Sequence, residues 1–471
     1  MPIDEENRSP VLVEVDLARD ADTERTRSEF LGLYARVFPG GPEPIRVAAS
    51  YLRCLLSPEE IELLLQRDQE SAARPTVFRV WPDYTMEAHI DRSISTIKAD
   101  AVTRCYGASG LGVVWAVMDS GIDESHPHFA AGTLQGPVAA LHRDFTGLVP
   151  DGPDGPADPA EQPLTDPVGH GTHVAGIIAG GLPPDSTPLI TRLKLIGGLP
   201  VRESRELAEG GSLQGIASRA QLVSLKVLAP RGDFLVTSSS AVIEALYYLR
   251  EKVNTGGRML VVHGVNLSLG CPWDAAEYAC GQSPVCREVD LLAASGVVVV
   301  VSAGNGGFGT RLPGEGGTDT RGVPASITDP GNADGAITVG STHRDRPHEF
   351  GVTYNSSKGP TLDGRLKPDL LAPGERITSC ATGSLRGDPT TLLPPGADPA
   401  AVAVYTEQSG TSMAAPHVSG AVAAFLSVRP EFIGRPREVK DLFCASATSL
   451  GRDRYLEGHG LLDLMRVMSN V

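Results

Sequence analysis

The chain has 471 residues, of which 41 are basic and 57 acidic, so its formal net charge is −16. Nucleic acids and anionic membranes reward clustered Lys and Arg, so this balance argues against either as the main partner. A hydrophobic content of 41% and a charged content of 21% are typical of globular proteins, and the length allows one large domain with a smaller one.

The first 95 residues predict a small α+β domain. Residues 11–17 alternate like a half-buried strand, and residues 22–37 have helical apolar spacing. Residues 57–60 form a capping box with proline at the first helical position, and residues 77–81 read as another strand. Strands that alternate with two helices in this length indicate a ferredoxin-like sandwich.

The N-terminus itself is acidic and polar, without the basic and apolar regions of a secretory signal. No apolar stretch approaches the roughly 18–20 residues needed to span a bilayer. We therefore expect a cytoplasmic protein without a membrane partner, with export by another route left open.

From residue 112 onward, short apolar runs alternate with helical stretches. The helices are expected at 240–250 and 288–294, and the strands at 113–118, 222–228, 260–267, 297–301 and 336–340. Such runs are typical of parallel strands buried on both faces, so we predict a doubly wound, mostly parallel α/β sheet. In these sheets, functional residues gather beyond the carboxyl ends of strands.

Three segments rich in Pro, Gly and polar residues are predicted as surface loops, at 146–168, 181–213 and 383–400. Seven cysteines in a chain this long do not form a disulfide framework. Cys271, Cys280 and Cys286 crowd one segment, where one disulfide is an alternative to the favoured free thiols.

A candidate nucleophile, Ser412, stands at the start of a helix rich in small residues, in the run GTSMAAPHV at 410–418. A serine hydroxyl attacks poorly unless a base removes its proton. Free N–H groups and the positive dipole end of the helix favour negative charge that develops beside it. The position therefore predicts catalysis if a base, an orienting acid and an anion hole exist elsewhere.

Three other residues can supply these parts. Asp119 directly follows the strand at 113–118, and an acid there can accept a hydrogen bond from an imidazole; alone, it would read as a turn cap. His170 opens the run HGTHVAG. Asn305 follows the strand at 297–301 and could donate to an oxyanion together with the N–H of Ser412, although Asn-Gly after a strand is usually a turn. His173 shares a helix with His170, but without an accompanying acid a metal pair is disfavoured and His173 reads as structural.

These motifs together resemble the subtilisin-like serine peptidases, the subtilases. The likeness rests on Asp-Ser-Gly from Asp119, His-Gly-Thr-His-Val-Ala-Gly from His170, and Gly-Thr-Ser-Met-Ala-Ala-Pro-His around Ser412, in the order Asp, His, Ser. The resemblance implies that His170 is the base, Asp119 its orienting partner, Ser412 the nucleophile and Asn305 the oxyanion donor.

The resemblance also implies where a protein or peptide substrate lies. It would extend along exposed backbone, as in β-augmentation. Gly232 would belong to a strand that flanks the substrate. Two segments would form the walls of the primary side-chain pocket: Ser268, Leu269 and Gly270 on one side, and Ser302, Ala303 and Gly304 on the other. The motifs at 367–374 and 458–463 also resemble subtilase signatures and read as structural.

No cofactor is required for this chemistry. Structural calcium is possible in the family, and one acidic loop offers oxygen atoms without a spacing that specifies a site. Its acids are Asp151, Asp154, Asp158 and Asp166. Residues 1–95 resemble a propeptide that inhibits a zymogen, ahead of a catalytic domain at 96–471, although residues 82–101 offer no distinctive cleavage site.

The sequence therefore predicts a serine endopeptidase that acts through an acyl-enzyme intermediate and can process its own N-terminal segment. A catalytically silent or permanently inhibited peptide-binding module is the alternative. An α/β-hydrolase esterase is disfavoured, because it requires Gly-x-Ser-x-Gly and the order Ser, Asp, His.

Overall fold

The computed structural model of the protein describes residues 8–16, 23–46, 50–71, 74–82, 93–149, 162–184, 186, 188–196, 199–205, 207, 213–231, 234–256, 259–272, 276–311, 319–388, 392–393 and 402–471. The chain divides into two compact units, Met1–Glu87 and Ala88–Val471. The sequence-based division lies a few residues later, at 95/96.

The first unit is a four-stranded antiparallel sheet with two helices. The strand order is β2-β3-β1-β4, which is the β-α-β-β-α-β arrangement of ferredoxin-like domains. The elements are β1 Ser9–Val15, α1 Thr23–Val37, β2 Ile45–Arg46, β3 Tyr51–Leu56, α2 Pro58–Ser71 and β4 Val77–Pro82. The predicted capping box exists, since Glu60 N donates to Ser57 Oγ at 3.2 Å and Ser57 N donates to the Glu60 carboxylate at 2.9 Å.

The second unit is a doubly wound α/β domain, as predicted. Its central sheet has seven parallel strands in the order β17-β16-β13-β12-β5-β9-β6. These strands are β5 Val114–Asp119, β6 Arg143–Asp144, β9 Gln221–Lys226, β12 Gly264–Leu267, β13 Val298–Ser302, β16 Ile337–His343 and β17 Leu370–Glu375.

Smaller sheets and helices surround the central sheet. The other strands are β7 Pro188–Ile196, β8 Leu199–Arg205, β10 Ala229–Arg231, β11 Phe234–Val236, β14 Phe308–Arg311, β15 Asp319–Gly322, β18 Ile377–Cys380 and β19 Ala403–Gln408. The helices are α3 Ser93–Thr96, α4 Ala99–Tyr106, α5 His170–Ile178, α6 Ser239–Tyr248, α7 Pro284–Ala294, α8 Pro347–Phe350, α9 Gly383–Arg386, α10 Thr411–Val428, α11 Pro436–Ala445, α12 Arg454–Glu457 and α13 Leu464–Ser469. Short 3₁₀ turns lie at Pro127–Phe129, Gly136–Val138, Thr146–Leu148 and Pro430–Phe432, and a π turn at Leu249–Val253.

Each face of the central sheet buries its own core. Alternate residues of β5 point to opposite sides, so Trp115 and Val117 join a cluster with α5 and α10, while Ala116 and Met118 join a cluster with α6 and α7. Both faces are therefore covered, and this explains why the parallel strands read as continuous apolar runs.

Helix α10 is almost entirely buried and is rich in small residues. A methyl group built on Gly420 would lie 2.8 Å from the Cβ of Ile216, so the small residue permits close packing there. Among the described helices, α10 alone is long and apolar enough by composition to cross a membrane, but 83% of its length is buried inside the domain. Its apolarity is thus explained by the core that it fills.

The prediction of a loop at 181–213 is wrong. Strands β7 and β8 pair there as an antiparallel hairpin, and β7 joins β19 and β18 in a four-stranded sheet. The alternation in Arg192-Leu193-Lys194-Leu195 is a strand signal that the neighbouring Pro and Gly residues obscured. Parts of the other two predicted loops, residues 150–161 and 394–400, lie outside the described residues.

All seven cysteines lie in the described part of the chain, and all are free thiols. The disulfide considered within Cys271, Cys280 and Cys286 does not form. Cys286 is fully buried, and its burial holds the thiol pKa above its ordinary value. It therefore behaves as a small apolar core residue.

Candidate active site

Asp119 is the last residue of β5 and is completely buried. Its Oδ1 accepts hydrogen bonds from the backbone N–H of Ser120 at 2.8 Å and from Nδ1 of His170 at 2.6 Å. Its Oδ2 is buried and has no hydrogen-bond partner among the described residues. The Asp119 carboxylate therefore binds one nitrogen of the imidazole, Nδ1 of His170.

His170 is the first residue of α5, and glycines on either side allow its approach to Asp119. Gly169 adopts φ = 99°, which a residue with a side chain adopts only with strain. A methyl group on Gly171 would lie 2.2 Å from the carbonyl oxygen of Gly121, so only glycine lets the helix pack this close to the end of β5. The His170 side chain keeps 23% of its surface exposed, which leaves the ring accessible.

The charge balance around His170 favours its protonated form. Burial alone lowers the pKa of the imidazole, but the Asp119 charge, the Asp119 hydrogen bond and the Asp166 charge outweigh it, so the pKa is raised above the ordinary 6.5. An imidazole held this way is a stronger base than a free one.

Asp166 holds the start of α5 and was not identified as a supporting residue from the sequence. Its Oδ2 accepts from the N–H and the hydroxyl of Thr172, both at 2.8 Å, and its Oδ1 accepts from Gly169 N and Ser120 Oγ at 2.8 and 2.9 Å. Burial is the main cause that raises its pKa. The signal was an Asp shortly before a helix start, which is typical of a cap.

His173 is structural, as expected. The side chain is completely buried, and its Nε2 lies 3.2 Å from the carbonyl oxygen of Ile377 and 3.1 Å from that of Thr406, so the N–H donates to both. Burial lowers its pKa to about 3, so the ring is neutral. It joins α5 to strands β18 and β19.

Ser412 is the second residue of α10, where its backbone N–H has no acceptor within the helix. Its Oγ donates to the carbonyl oxygen of Ser268 at 3.1 Å, and Ser268 Oγ donates back to the carbonyl of Ser412 at 2.8 Å. Asn266 Nδ2 donates to Ser268 Oγ, and Ser419 Oγ donates to Asn266 Oδ1, both at 2.9 Å. A buried polar network thus fixes the loop after β12 against the start of α10.

Asn305 lies in the loop after β13 and contacts the residues just before Ser412. Its Oδ1 accepts from the N–H of Thr411 at 3.0 Å and from the Thr411 hydroxyl at 3.1 Å. With the carbonyl oxygen occupied in this way, the Nδ2 group remains available as a donor. The side chain is exposed to solvent.

The two predicted pocket walls follow neighbouring parallel strands, β12 and β13. Ser268, Ser302 and Ala303 are buried, whereas Leu269, Gly270 and Gly304 are more exposed. Ser302 Oγ donates to the carbonyl of Leu269 at 3.5 Å, which ties the walls together. Gly232 lies outside the described residues, between β10 and β11.

The motif around Lys367 forms a buried ion cluster. Lys367 Nζ donates to Asp369 Oδ2 at 2.7 Å and to Thr338 Oγ1 at 2.8 Å, and Lys440 Nζ lies 3.1 Å from Asp369 Oδ1. Burial lowers the pKa of Lys367 to about 8. The cluster joins β16, β17 and α11, in agreement with a structural role.

The described residues contain no cluster of side chains that specifies a metal site. No group of three or more His, Cys, Asp or Glu side chains among them is arranged to hold a metal. Both oxygens of Asp166 are occupied by N–H and O–H donors. Asp151, Asp154 and Asp158 lie outside the described residues.

The sequence of this chain matches a known family of proteins. The model of the Subtilase family matches residues 110–461. The chain belongs to the subtilase family. This subtilase is 29% identical to a protein of Paenibacillus polymyxa named Intracellular serine protease. The aligned region covers 80% of this chain and 86% of that protein. Identity to subtilisin E of Bacillus subtilis is 29%, over 83% of this chain and 75% of that protein.

Pyrolysin of Pyrococcus furiosus is 30% identical to this chain over 63% of the chain's length. The match covers only 21% of pyrolysin, which is the longer protein. These relatives and the family establish the class of enzyme. The chain is a subtilisin-like serine protease, and therefore a hydrolase.

Proposed function

We propose that this subtilase is an endopeptidase that uses Asp119, His170 and Ser412 as its catalytic triad and Asn305 as an oxyanion donor. The observation that carries the proposal is the 2.6 Å hydrogen bond between His170 Nδ1 and the buried carboxylate of Asp119. That bond orients the ring and leaves Nε2 as the basic nitrogen. Ser412 at the start of α10 is the candidate nucleophile.

The proposed reaction has two stages. His170 Nε2 takes the proton of Ser412 Oγ as the oxygen attacks the peptide carbonyl carbon, and then gives that proton to the leaving amine. Water attacks the resulting acyl-enzyme in the same way, which releases the acid and restores Ser412. In both stages Asp119 stabilises the imidazolium, while the Asn305 Nδ2 group and the Ser412 N–H donate to the oxyanion.

The first stage requires one rearrangement. Because Ser412 Oγ donates to the Ser268 carbonyl, it must rotate about its Cα–Cβ bond to donate to His170. Such a rotation between staggered positions is fast and local. Catalytic hydrogen bonds of this kind commonly tighten only when substrate is bound.

The oxyanion role of Asn305 gives a prediction. We expect Asn305→Ala to lower kcat about 10²–10³-fold with little change in KM, a size known from such a donor in subtilisin. Thr411→Val should give a smaller loss, because it removes one of the two donors that orient Asn305. Thr411→Ser keeps that donor and is the matched control. Steady-state kinetics on one peptide substrate give both values, and an unchanged kcat in Asn305→Ala would contradict the role.

The N-terminal unit is proposed as an intramolecular inhibitor that the enzyme removes from itself. Its ferredoxin-like topology and its place before the protease domain support this role. A cytoplasmic location is proposed from the seven free thiols and from the name of the Paenibacillus polymyxa relative, Intracellular serine protease. The proposed chemistry uses protein groups alone, and no calcium ligand is assigned.

One experiment tests activity and self-processing together. The full chain and its Ser412→Ala variant are purified, treated with a fluorophosphonate and followed by mass spectrometry over time. We expect one covalent adduct on wild type at Ser412, and loss of the N-terminal segment in wild type alone. Ser427→Ala, on the same helix, is the control and should be labelled like wild type.

Two results would separate the parts of the proposal. A wild type that is neither labelled nor active, with the N-terminal segment removed by an added protease, would favour the silent binding module. A labelled, active wild type whose N-terminal segment stays attached would overturn self-processing and leave the triad intact.

A further inference from the structure

The regular hydrogen bonds of helix α10 do not hold the backbone of Ser412. The residue lies in the first turn, so its N–H has no acceptor within the helix. Its carbonyl oxygen would normally accept from the N–H four positions further on, but that position is Pro416. Proline has no N–H, and its ring pushes against the carbonyl four residues before it. Groups outside the regular helix therefore have to fix Ser412.

Two neighbouring strand ends supply such groups. Ser268, directly after β12, donates from its hydroxyl to the carbonyl oxygen of Ser412 at 2.8 Å. Asn305, in the loop after β13, accepts from the N–H of Thr411 at 3.0 Å. Strands β12 and β13 pair with each other in the central sheet. The start of α10 is thus held on both sides of Ser412 by loops from two bonded strands.

The Ser268 hydroxyl is itself fixed in direction. Ser268, Asn266 and Ser419 are all buried. Asn266 Nδ2 donates to Ser268 Oγ, and Asn266 Oδ1 accepts from Ser419 Oγ, both at 2.9 Å. Because a hydroxyl has a single proton and the amide occupies an acceptor position on Ser268 Oγ, that proton is directed at the Ser412 carbonyl. Ser419 lies on α10, so the network starts and ends on the helix that carries Ser412.

We propose that Ser268 is a positioning residue for the nucleophile, because its hydroxyl replaces the backbone donor that Pro416 removes. The inference rests on the proposed function of Ser412. The exchange lets a strand end, rather than the helix, set the place of the Ser412 backbone, while the Ser412 N–H stays available to an oxyanion. A displacement of about 1 Å at a reacting group can lower a rate about 10²-fold. Loss of the Ser268 hydroxyl should therefore affect kcat more than KM.

The test is a double-mutant cycle on Ser268 and Pro416 in the full chain. Values of kcat and KM are measured on one peptide, and active molecules are counted by fluorophosphonate titration. We expect Ser268→Ala to lower kcat about 10–100-fold, with KM within about threefold of wild type. Pro416→Ala restores an N–H that can donate to the Ser412 carbonyl in the regular helical way. Alone it should cost less than about fivefold, and in the double variant it should recover at least about fivefold of the lost kcat.

The cycle separates positioning from a general structural effect. In Ser268→Ala the Asn266 amide also loses an acceptor, which Pro416→Ala does not replace. Recovery of kcat in the double variant therefore has to come through the Ser412 carbonyl. A purely structural role would instead lower the unfolding temperature and leave kcat per labelled molecule unchanged. Ser427→Ala removes a hydroxyl that donates to the Ala424 carbonyl further along α10, and as the control it should keep the wild-type kcat.

Two outcomes would overturn the inference. One is a kcat per labelled molecule in Ser268→Ala equal to that of wild type, and the other is a double variant in which the two single losses simply multiply. If Ser268→Ala does not fold, Ser419→Ala with and without Pro416→Ala replaces it, with a smaller loss expected, and an unchanged kcat there would overturn the inference equally. Absence of both cleavage and Ser412 labelling in wild type would instead overturn the proposed function beneath it.

Discussion

Replacement of His170 by alanine should lower kcat about 10⁶-fold, the size of loss known from subtilisin, a member of the same family. The reason is that, among the described residues, no other side chain that could act as a base forms a hydrogen bond with the Asp119 carboxylate. The fold should be unaffected, because the His170 ring is partly exposed and bonds to the Asp119 carboxylate rather than filling the core. Steady-state kinetics and thermal unfolding at one scan rate measure the two effects.

His173 on the same helix is the matched control for this experiment. Its N–H bridges two carbonyl oxygens in the core, so His173→Ala leaves both without that donor and opens a cavity. We expect a loss of about 2–4 kcal/mol in stability with kcat per labelled molecule within a few-fold of wild type. Free imidazole should restore part of the activity of His170→Ala, because that site is open to solvent, and none to His173→Ala. Equal kinetic losses in both variants would contradict the assignment of the base.

The parallel core could be predicted from the sequence because strands buried on both faces are apolar throughout. The predicted strands at 113–118, 222–228 and 297–301 agree with β5, β9 and β13 to within two residues at each end. The sequence also placed Asp119 at the end of a strand and Ser412 at the start of a helix. The chain changes from apolar to polar residues at Asp119 and from polar to apolar residues at Ser412.

The four-stranded sheet formed by β18, β19, β7 and β8 could not be predicted as easily. Strand β7 carries charged residues between its apolar ones, and Arg192 pairs with Glu203 across the hairpin at 3.0 Å. Charged side chains are typical of peripheral strands, but they also make a segment resemble a loop. Its pairing with β19, more than 200 positions along the chain, depends on tertiary structure that local patterns do not contain.

The supporting residues of the site were missed for a similar reason. Asp166 was grouped with the acids of a loop, because nothing local indicates that both its oxygens are occupied by helix N–H and hydroxyl donors. Motifs therefore predicted the candidate reacting residues, whereas a residue that supports them required the fold.

Removal of the Asp119 charge gives the second large effect. Asp119→Asn should lower kcat about 10⁴-fold at neutral pH, of the size found for the equivalent change in another serine protease. The N–H of Ser120 already donates to Oδ1, so the asparagine oxygen should stay in place while the buried charge that stabilises the imidazolium is lost. Asp290→Asn, which replaces a carboxylate that accepts from Gly335 N, is the control and should keep full activity.

The pH profile of Asp119→Asn tests whether the Asp119 charge acts by raising the pKa of His170. In wild type the pKa of His170 is raised above 6.5, chiefly by the Asp119 charge against the opposing effect of burial, so kcat/KM should fall on the acid side with a midpoint above pH 6.5. Without that charge, burial dominates and the pKa falls, so the residual activity of Asp119→Asn should persist to lower pH. The Asp290→Asn profile should coincide with that of wild type. An acid midpoint that stays in place in Asp119→Asn would mean that the titrating group is not His170.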